Sequence, residues 1–262
     1  MRTIAIMNNK GGVGKTVTAI NLADILVRDH RKRVVLVDCD GQANLTRFFA
    51  PCMDADMGEA ITTADILTGN CEPLWRDNLL PVREEIQLLP GCSGLYDLDV
   101  DAIKDGVSAP ENLRQFTAAA RADDEMDFMI FDCPPGYTVA SVAALLAADE
   151  VVIPVTADAF SISGVMVVLK QVRTIQRARP GLRATALLTQ TRRADVVTAG
   201  ENMLREMGVP VFSSRIRRTD KVPESTLSLC PLAEYSPGSA ATRDYRVWVG
   251  ELLKMGGVIC GG

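Results

Sequence analysis

The chain has 262 residues, 47% of them hydrophobic and 23% charged, a composition that suits one globular domain with a large core. Its opening Met-Arg-Thr-Ile-Ala-Ile-Met is too short an apolar run for a secretory signal. No later run approaches the roughly 20 apolar residues that span a bilayer, so a soluble cytoplasmic protein with no membrane partner is expected. The net charge is −5, yet Lys170 to Lys221 holds twelve lysines and arginines against four acids, a local +8 that leaves −13 elsewhere. Such asymmetry points to a surface that faces a polyanion.

In chain order, Thr3 to Met7 reads as a buried strand running into a glycine-rich loop, and Thr16 to Val27 carries apolar residues at helical spacing. The basic turn Arg28 to Arg33 is expected to end that helix. Val34 to Val37 is a β-branched run that stops on Asp38-Cys39-Asp40. From about Phe48 to Arg121 the pattern is weaker, with short helices at Thr63 to Leu67 and Leu113 to Ala120 and one strand at Ile86 to Leu89. Phe128 to Asp132 is the next clear strand, followed by the sharp turn Cys133-Pro134-Pro135-Gly136. The rest alternates: helix 139–148, strand 150–155, helix 163–178, strand 184–189, helix 198–207, short strand 209–212 and a closing helix 240–254. This alternation predicts an α/β fold with a doubly wound, mostly parallel sheet flanked by helices, in one domain whose stretch from about 50 to 125 is more variable. Ligands then belong at the carboxyl ends of the strands.

The only histidine, His30, nearly excludes histidine triads and histidine-rich metal sites. The seven cysteines (Cys39, Cys52, Cys71, Cys92, Cys133, Cys230, Cys260) form no C-x-x-C pair and are expected to be reduced and mostly buried. Chemistry must rest on phosphate-binding backbone, lysine and carboxylates. Lys10-Gly11-Gly12-Val13-Gly14-Lys15-Thr16 supplies these between a strand and a helix, with Asn9 where the plain phosphate-loop pattern has its first glycine. The glycines let the backbone form a concave anion site at a helix N-terminus, Lys15 suits β- and γ-phosphate oxygens, and the Thr16 hydroxyl suits magnesium. With Val17 these residues are the candidate ATP site.

The heptapeptide resembles the deviant Walker A box of the ParA/MinD family of P-loop ATPases, and the resemblance covers nearly the full chain. It implies that Lys10 reaches across an ATP-dependent homodimer to the partner's nucleotide. Asp38-Cys39-Asp40-Gly41-Gln42-Ala43-Asn44 resembles the family's D-x-D-P-Q-x-N switch, with Gly41 in place of proline. Asp40 thereby takes the role of orienting the attacking water, and Asp38 supports magnesium or the switch. Capping of a helix is the plainer reading of that acidic pair. Asp132 corresponds to the Walker B carboxylate that holds magnesium. Ile216 to Ser225 parallels the family's I-P-R-N-x-[RK]-L-x-E-A stretch, with departures at Arg217 and Ser225. Arg192 or Arg193, together with Arg218 and Lys221, match positions that contact duplex DNA without sequence preference. Arg173, Arg177 and Arg179 read as helix-surface residues.

The function implied is a nucleoid-associated DNA-segregation ATPase with ATP and magnesium as cofactors. It would dimerise on ATP, bind DNA non-specifically, and be released by hydrolysis that a ParB-like adaptor stimulates and that is slow without it. A relative that positions a non-DNA cargo has the same catalytic residues. A MinD-like membrane cycle would need a basic amphipathic end, and residues 252–262, with one lysine and four glycines, make a poor anchor. Electron transfer on a bridging cluster would need a second suitably spaced cysteine beside Cys133.

Overall fold

Eight short strands, the central ones continuous apolar runs, form a single sheet in the computed structural model, which describes residues 1–52, 60–72, 74–105 and 110–256. The order of elements is β1 (Arg2–Ile6), α1 (Lys15–His30), β2 (Val34–Asp38), α2 (Asn44–Phe49), α3 (Thr63–Thr68), a 3-10 turn (Trp75–Asn78), β3 (Leu80–Arg83) and β4 (Ile86–Leu89). There follow α4 (Gly94–Asp105), α5 (Pro110–Ala122), β5 (Phe128–Asp132), α6 (Val139–Ala147), β6 (Glu150–Thr156), α7 (Ala159–Ile175) and β7 (Arg183–Thr191). The chain ends with α8 (Ala194–Glu206), β8 (Val211–Arg217), α9 (Lys221–Leu227), α10 (Leu232–Tyr235) and α11 (Ala240–Gly256).

The strands lie in the order β3-β4-β2-β5-β1-β6-β7-β8, and every neighbouring pair is parallel except β3 with β4. Because strand side chains alternate, each central strand feeds two cores. Ala5, Val35, Val37, Met129 and Phe131 face one layer, where α3 to α8 contribute Leu67, Leu95, Leu113, Phe116, Val165 and Leu204. Ile4, Ile6, Val34, Leu36 and Ile130 face the other, closed by α1, α2, α10 and α11. Side chains from the weakly patterned region, among them Trp75, Leu95 and Phe116, thus enter the same core as the central strands.

The register sets the functional edge. Asp38 of β2 lies beside Asp132 of β5, and Asp132 lies beside Ile6 of β1. Three strands therefore end on one line.

Several boundaries differ from the sequence expectation for identifiable reasons. Helix α1 runs on through Arg28 to His30 and stops only where Arg31 turns left-handed at φ 54, since basic residues favour the negative end of a helix. Strand β8 extends to Arg217 because the N–H groups of Ser213 and Ser214 find acceptors in the carboxylate of Glu251, which lets a polar stretch continue as an edge strand. Pro81 hides β3, and Pro is tolerated there because the strand lies at the sheet edge. The acids Asp97, Asp99 and Asp101 obscure the apolar face of α4.

Of the six described cysteines only Cys39 and Cys133 are buried; Cys52 and Cys71 are exposed, Cys92 and Cys230 are half-buried, and none is bridged. This corrects the expectation of mostly buried thiols. Cys260 and the tail from 257 lie outside the described residues. Among the described residues no helix is long and apolar enough to cross a membrane.

Trp248 of α11 is fully buried and meets Phe212 and Tyr245 edge to face, with ring centroids 5.9 and 6.1 Å away. Trp248→Ala should cost about 3–5 kcal/mol, read as a lowered urea midpoint with an unchanged slope.

Candidate active site

Between β1 and α1 the chain forms an open loop. Gly12 and Gly14 have φ of 74° and 92°, which only glycine adopts without strain, and Gly14 caps α1. A side chain at Gly11, Gly12 or Gly14 would meet no atom within 4 Å, so the concave side is clear for a ligand. The loop is braced from behind by the end of β7. Thr189 Oγ1 donates to the carbonyl of Val13 at 2.9 Å, and Gln190 Nε2 donates to that of Gly12 at 2.6 Å. Asn8 completes the brace, accepting from the Lys10 N–H at 3.0 Å and donating to the Pro154 carbonyl at 2.7 Å. Thr189, Gln190 and Asn8 belong to no motif that would mark them in the sequence.

The loop floors a cavity of about 590 Å³ lined by Gly11 to Val17, Asp40, Gln42 and Pro135, and on the far side by Arg217 to Asp220, Pro223 and Tyr245. That volume matches a mid-sized ligand. No sequence motif marks the far wall as part of a nucleotide site, although Arg218 within it is one of the residues expected to contact DNA.

Lys15 is nearly buried, and its Nζ donates back to the Lys10 carbonyl at 3.2 Å. Burial lowers its pKa, while Asp132 and Asp40 oppose that loss of charge. Asp132 is buried and neither of its oxygens has a hydrogen bond of ordinary geometry, although the Thr16 hydroxyl is close enough to influence it. Burial, followed by the charge of Asp38, pushes its carboxyl well above the usual carboxylate range. A buried carboxylate with orphaned oxygens, close to a threonine hydroxyl and a glycine-rich anion cradle, is a fitting place for a divalent cation shared with phosphate oxygens.

The two aspartates of the switch motif do different things. Strand β2 ends at Asp38, so the pair does not project from one extended face as i and i+2 residues would. Asp38 is fully buried; its Oδ1 accepts the Asp40 N–H at 3.1 Å, and its Oδ2 accepts the Thr46 N–H and hydroxyl at 2.9 and 2.8 Å. Burial raises its pKa to about 6 against those three bonds. Both of its oxygens are committed to shaping the turn. Asp40 instead lines the cavity, where its Oδ1 accepts the Gln42 N–H at 2.9 Å.

Lys10 turns away from the cavity. Its Nζ bonds both Asp158 oxygens, at 3.0 and 3.2 Å, and Ser161 Oγ at 2.7 Å, at the start of α7. Burial works against the charge on Asp158, but bonds from Thr156, Ser161 and Lys10 outweigh it and hold its carboxyl well below the usual range. Lys10, Asp158, Arg192, Arg193 and Arg218 border one depression beside the loop. The basic residues picked from the sequence are therefore not equivalent. Arg192 and Arg193 are exposed there, with Arg193 beside Asp195 at 3.4 Å, Arg218 also lines the main cavity, and Lys221 is paired with Glu224 at 2.6 Å. Arg179 is tied to Asp149 rather than free on the helix surface.

A glycine-rich loop leaving the central strand of a parallel sheet, with lysine, threonine and a strand-end aspartate around it, defines a P-loop nucleoside triphosphatase. Comparison with known proteins agrees. Residues 1–184 match the family model described as an AAA domain. The chromosome-partitioning ATPase Soj of Thermus thermophilus is 33% identical over 97% of this chain and 96% of its own. Among solved structures, McdA from Cyanothece superposes with TM-score 0.81 at 21% identity, covering 97% of this chain and 99% of its own. Cobyrinic acid a,c-diamide synthase from Mycobacterium smegmatis, with a bound ATP analogue and magnesium, superposes with TM-score 0.78 at 26% identity, covering 98% of this chain and 96% of its own. The chain belongs to the ParA/MinD-type AAA family of P-loop ATPases.

Asp132→Asn removes a buried charge and should raise the urea midpoint of the nucleotide-free protein. The raised carboxyl favours the protonated fold, so the wild type loses stability as pH climbs above the unfolded value of about 4. The gap between variant and wild type should therefore widen from pH 4 upwards in paired denaturation curves.

Proposed function

We propose that this protein is a DNA-segregation ATPase whose ATP-bound homodimer holds duplex DNA and lets it go on hydrolysis. The observation that carries the reading is the depression that Lys10 shares with Arg192, Arg193 and Arg218, which makes the nucleotide loop and the basic surface contiguous. ATP would lie in the glycine cradle with Lys15 on its phosphates, and magnesium would be held by Thr16 and Asp132. The ion supplies charge neutralisation at the β- and γ-phosphates. Asp40, at the cavity wall, orients the attacking water, and Asp38 keeps the turn that carries Asp40 in shape.

The resting place of Lys10 gives the dimer its logic. To reach a second copy's nucleotide, Lys10 must leave Asp158 and Ser161, so closure exchanges one set of charged contacts for another. Its release alters the depression that Arg192 and Arg193 border, which ties polyanion binding to nucleotide state. Contacts of this kind go to phosphates, favour no sequence and weaken with salt. A ParB-like adaptor would accelerate the otherwise slow hydrolysis, and the protein would reside on the nucleoid in the cytoplasm. The relationship to Soj at 33% identity supports partition of DNA over other cargo.

Gel shifts with random duplex DNA in ATP, ADP or no nucleotide, at two salt concentrations, test this reading. Binding should appear only with ATP, weaken at the higher salt, and fall about tenfold or more in Arg192→Ala/Arg193→Ala, on the scale of two lost phosphate contacts. Equal binding in all nucleotide states would refute it. This pair is a cleaner probe than Arg218, which also borders the nucleotide cavity. Lys10→Ala should still bind ATP but remain monomeric in sedimentation, whereas an ATP-dependent dimer of the variant would remove Lys10 from its role in trans.

A further inference from the structure

Gly41 stands where the related motif has proline, and its backbone does not explain it. The described glycines with positive φ are Gly12, Gly14, Gly69, Gly136 and Gly208; Gly41 is not among them. What requires a bare Cα is the ring of Tyr96, from α4. A Cβ at residue 41 would lie 2.7 Å from two of its ring carbons and 2.9 Å from a third. The tyrosine lies against the turn and is bonded to it, since Gln42 Nε2 donates to the Tyr96 hydroxyl at 2.7 Å. The same Gln42 donates its backbone N–H to Asp40 Oδ1, and the Ala43 N–H closes on the Asp40 carbonyl at 2.8 Å. Gln42 thus joins the tyrosine to the carboxylate.

The turn is also met by Gly91, where a Cβ would fall 2.8 Å from Asp38 Cγ and 2.9 Å from the Asp40 carbonyl oxygen. Gly91 also donates its N–H to Thr46 Oγ1, the hydroxyl that in turn donates to Asp38. That jaw consists of backbone and a buried carboxylate, which shift only at a cost. The Tyr96 jaw is the end of a flexible side chain that is 45% exposed, so it can swing. Helix α4 reaches the other side of the site as well, because Asp99 Oδ1 accepts the Val139 N–H at 2.7 Å at the start of α6, just after the turn that follows Asp132.

We infer that Tyr96 is a positioning residue that sets the Asp40 carboxylate through Gln42, and that Gly41 is the space this clamp requires. The effect on turnover rests on the proposed role of Asp40; the clamp itself does not. Tyr96→Ala should lower kcat for ATP about 3- to 10-fold, the scale of one hydrogen bond, with KM for ATP changed less than about twofold. Tyr96→Phe, which keeps the ring and loses the hydroxyl, should show part of that loss. Gly41→Ala should displace the ring and match Tyr96→Ala, and the double variant should be no worse than either single one, because both break one contact.

Hydrogen exchange on the nucleotide-free full chain supplies an independent readout. The Gln42 and Ala43 amides should exchange faster in Tyr96→Ala and Gly41→Ala, with the protection of β2 unchanged. Unchanged exchange at those amides, or effects of the two substitutions that multiply, would overturn the clamp. A wild type that binds ATP without hydrolysing it would overturn the ATPase reading, and exchange would still decide the clamp.

Discussion

The site depends on the register of three parallel strands. Because Ile6, Asp132 and Asp38 end in line across β1, β5 and β2, the loops that follow them open onto one edge of the sheet. Parallel strands buried on both faces leave only their ends for polar chemistry. The phosphate loop, the Asp132 carboxylate and the Asp40 turn are the three occupants of that edge. A one-residue slip of β2 would send Asp38 to the opposite face and take its acceptors from Thr46 and Asp40.

Buried carboxylates at this edge are handled in two ways. Asp38 is supplied with three donors by the chain itself, which turns a costly group into the organiser of the switch turn. Asp132 receives none of ordinary geometry and is left poorly satisfied. A fold that leaves one carboxylate unsatisfied beside a buried lysine and an open anion cradle stores a preference for a cation and phosphates. Lys10 is the complementary case, a charge fully satisfied at Asp158 and Ser161, where releasing it has a cost that only a better partner offsets. Asp38 and Lys10 are thus satisfied where they stand, and Asp132 is not.

Much of the central sheet was legible because apolar runs bounded by glycine and aspartate have little choice but to be buried strands. The runs 86–89 and 128–132 coincide with β4 and β5. Strand β3 was hidden by Pro81, and α4 by its acids, since edge strands and half-exposed helices do not carry a full apolar pattern. In the site, Gly11 to Thr16 and Asp132 were expected because backbone conformation and charge at a strand end are local properties, whereas Asp40 was expected from the resemblance of its motif to the ParA/MinD switch. Thr189, Gln190, Tyr96 and the far wall from Arg217 to Tyr245 could not be expected, because each acts through an approach between segments remote in sequence.

The sequence by itself determined that a strand feeds a glycine-rich anion cradle with two lysines, and that two further strands end on carboxylates. Those follow from φ freedom, periodicity and the cost of burying charge, which neighbours in the chain decide among themselves. Only the tertiary structure decided how those groups are used. It gave Asp38 to the turn and left the Asp132 oxygens without a hydrogen bond of ordinary geometry among the described residues, held Lys10 against Asp158, paired Arg193 with Asp195 and Lys221 with Glu224, and placed a tyrosine ring from 55 residues further along the chain against Gly41. Whether a charged or polar group is satisfied is settled by what packs against it, and for most of this site that neighbour comes from another part of the chain.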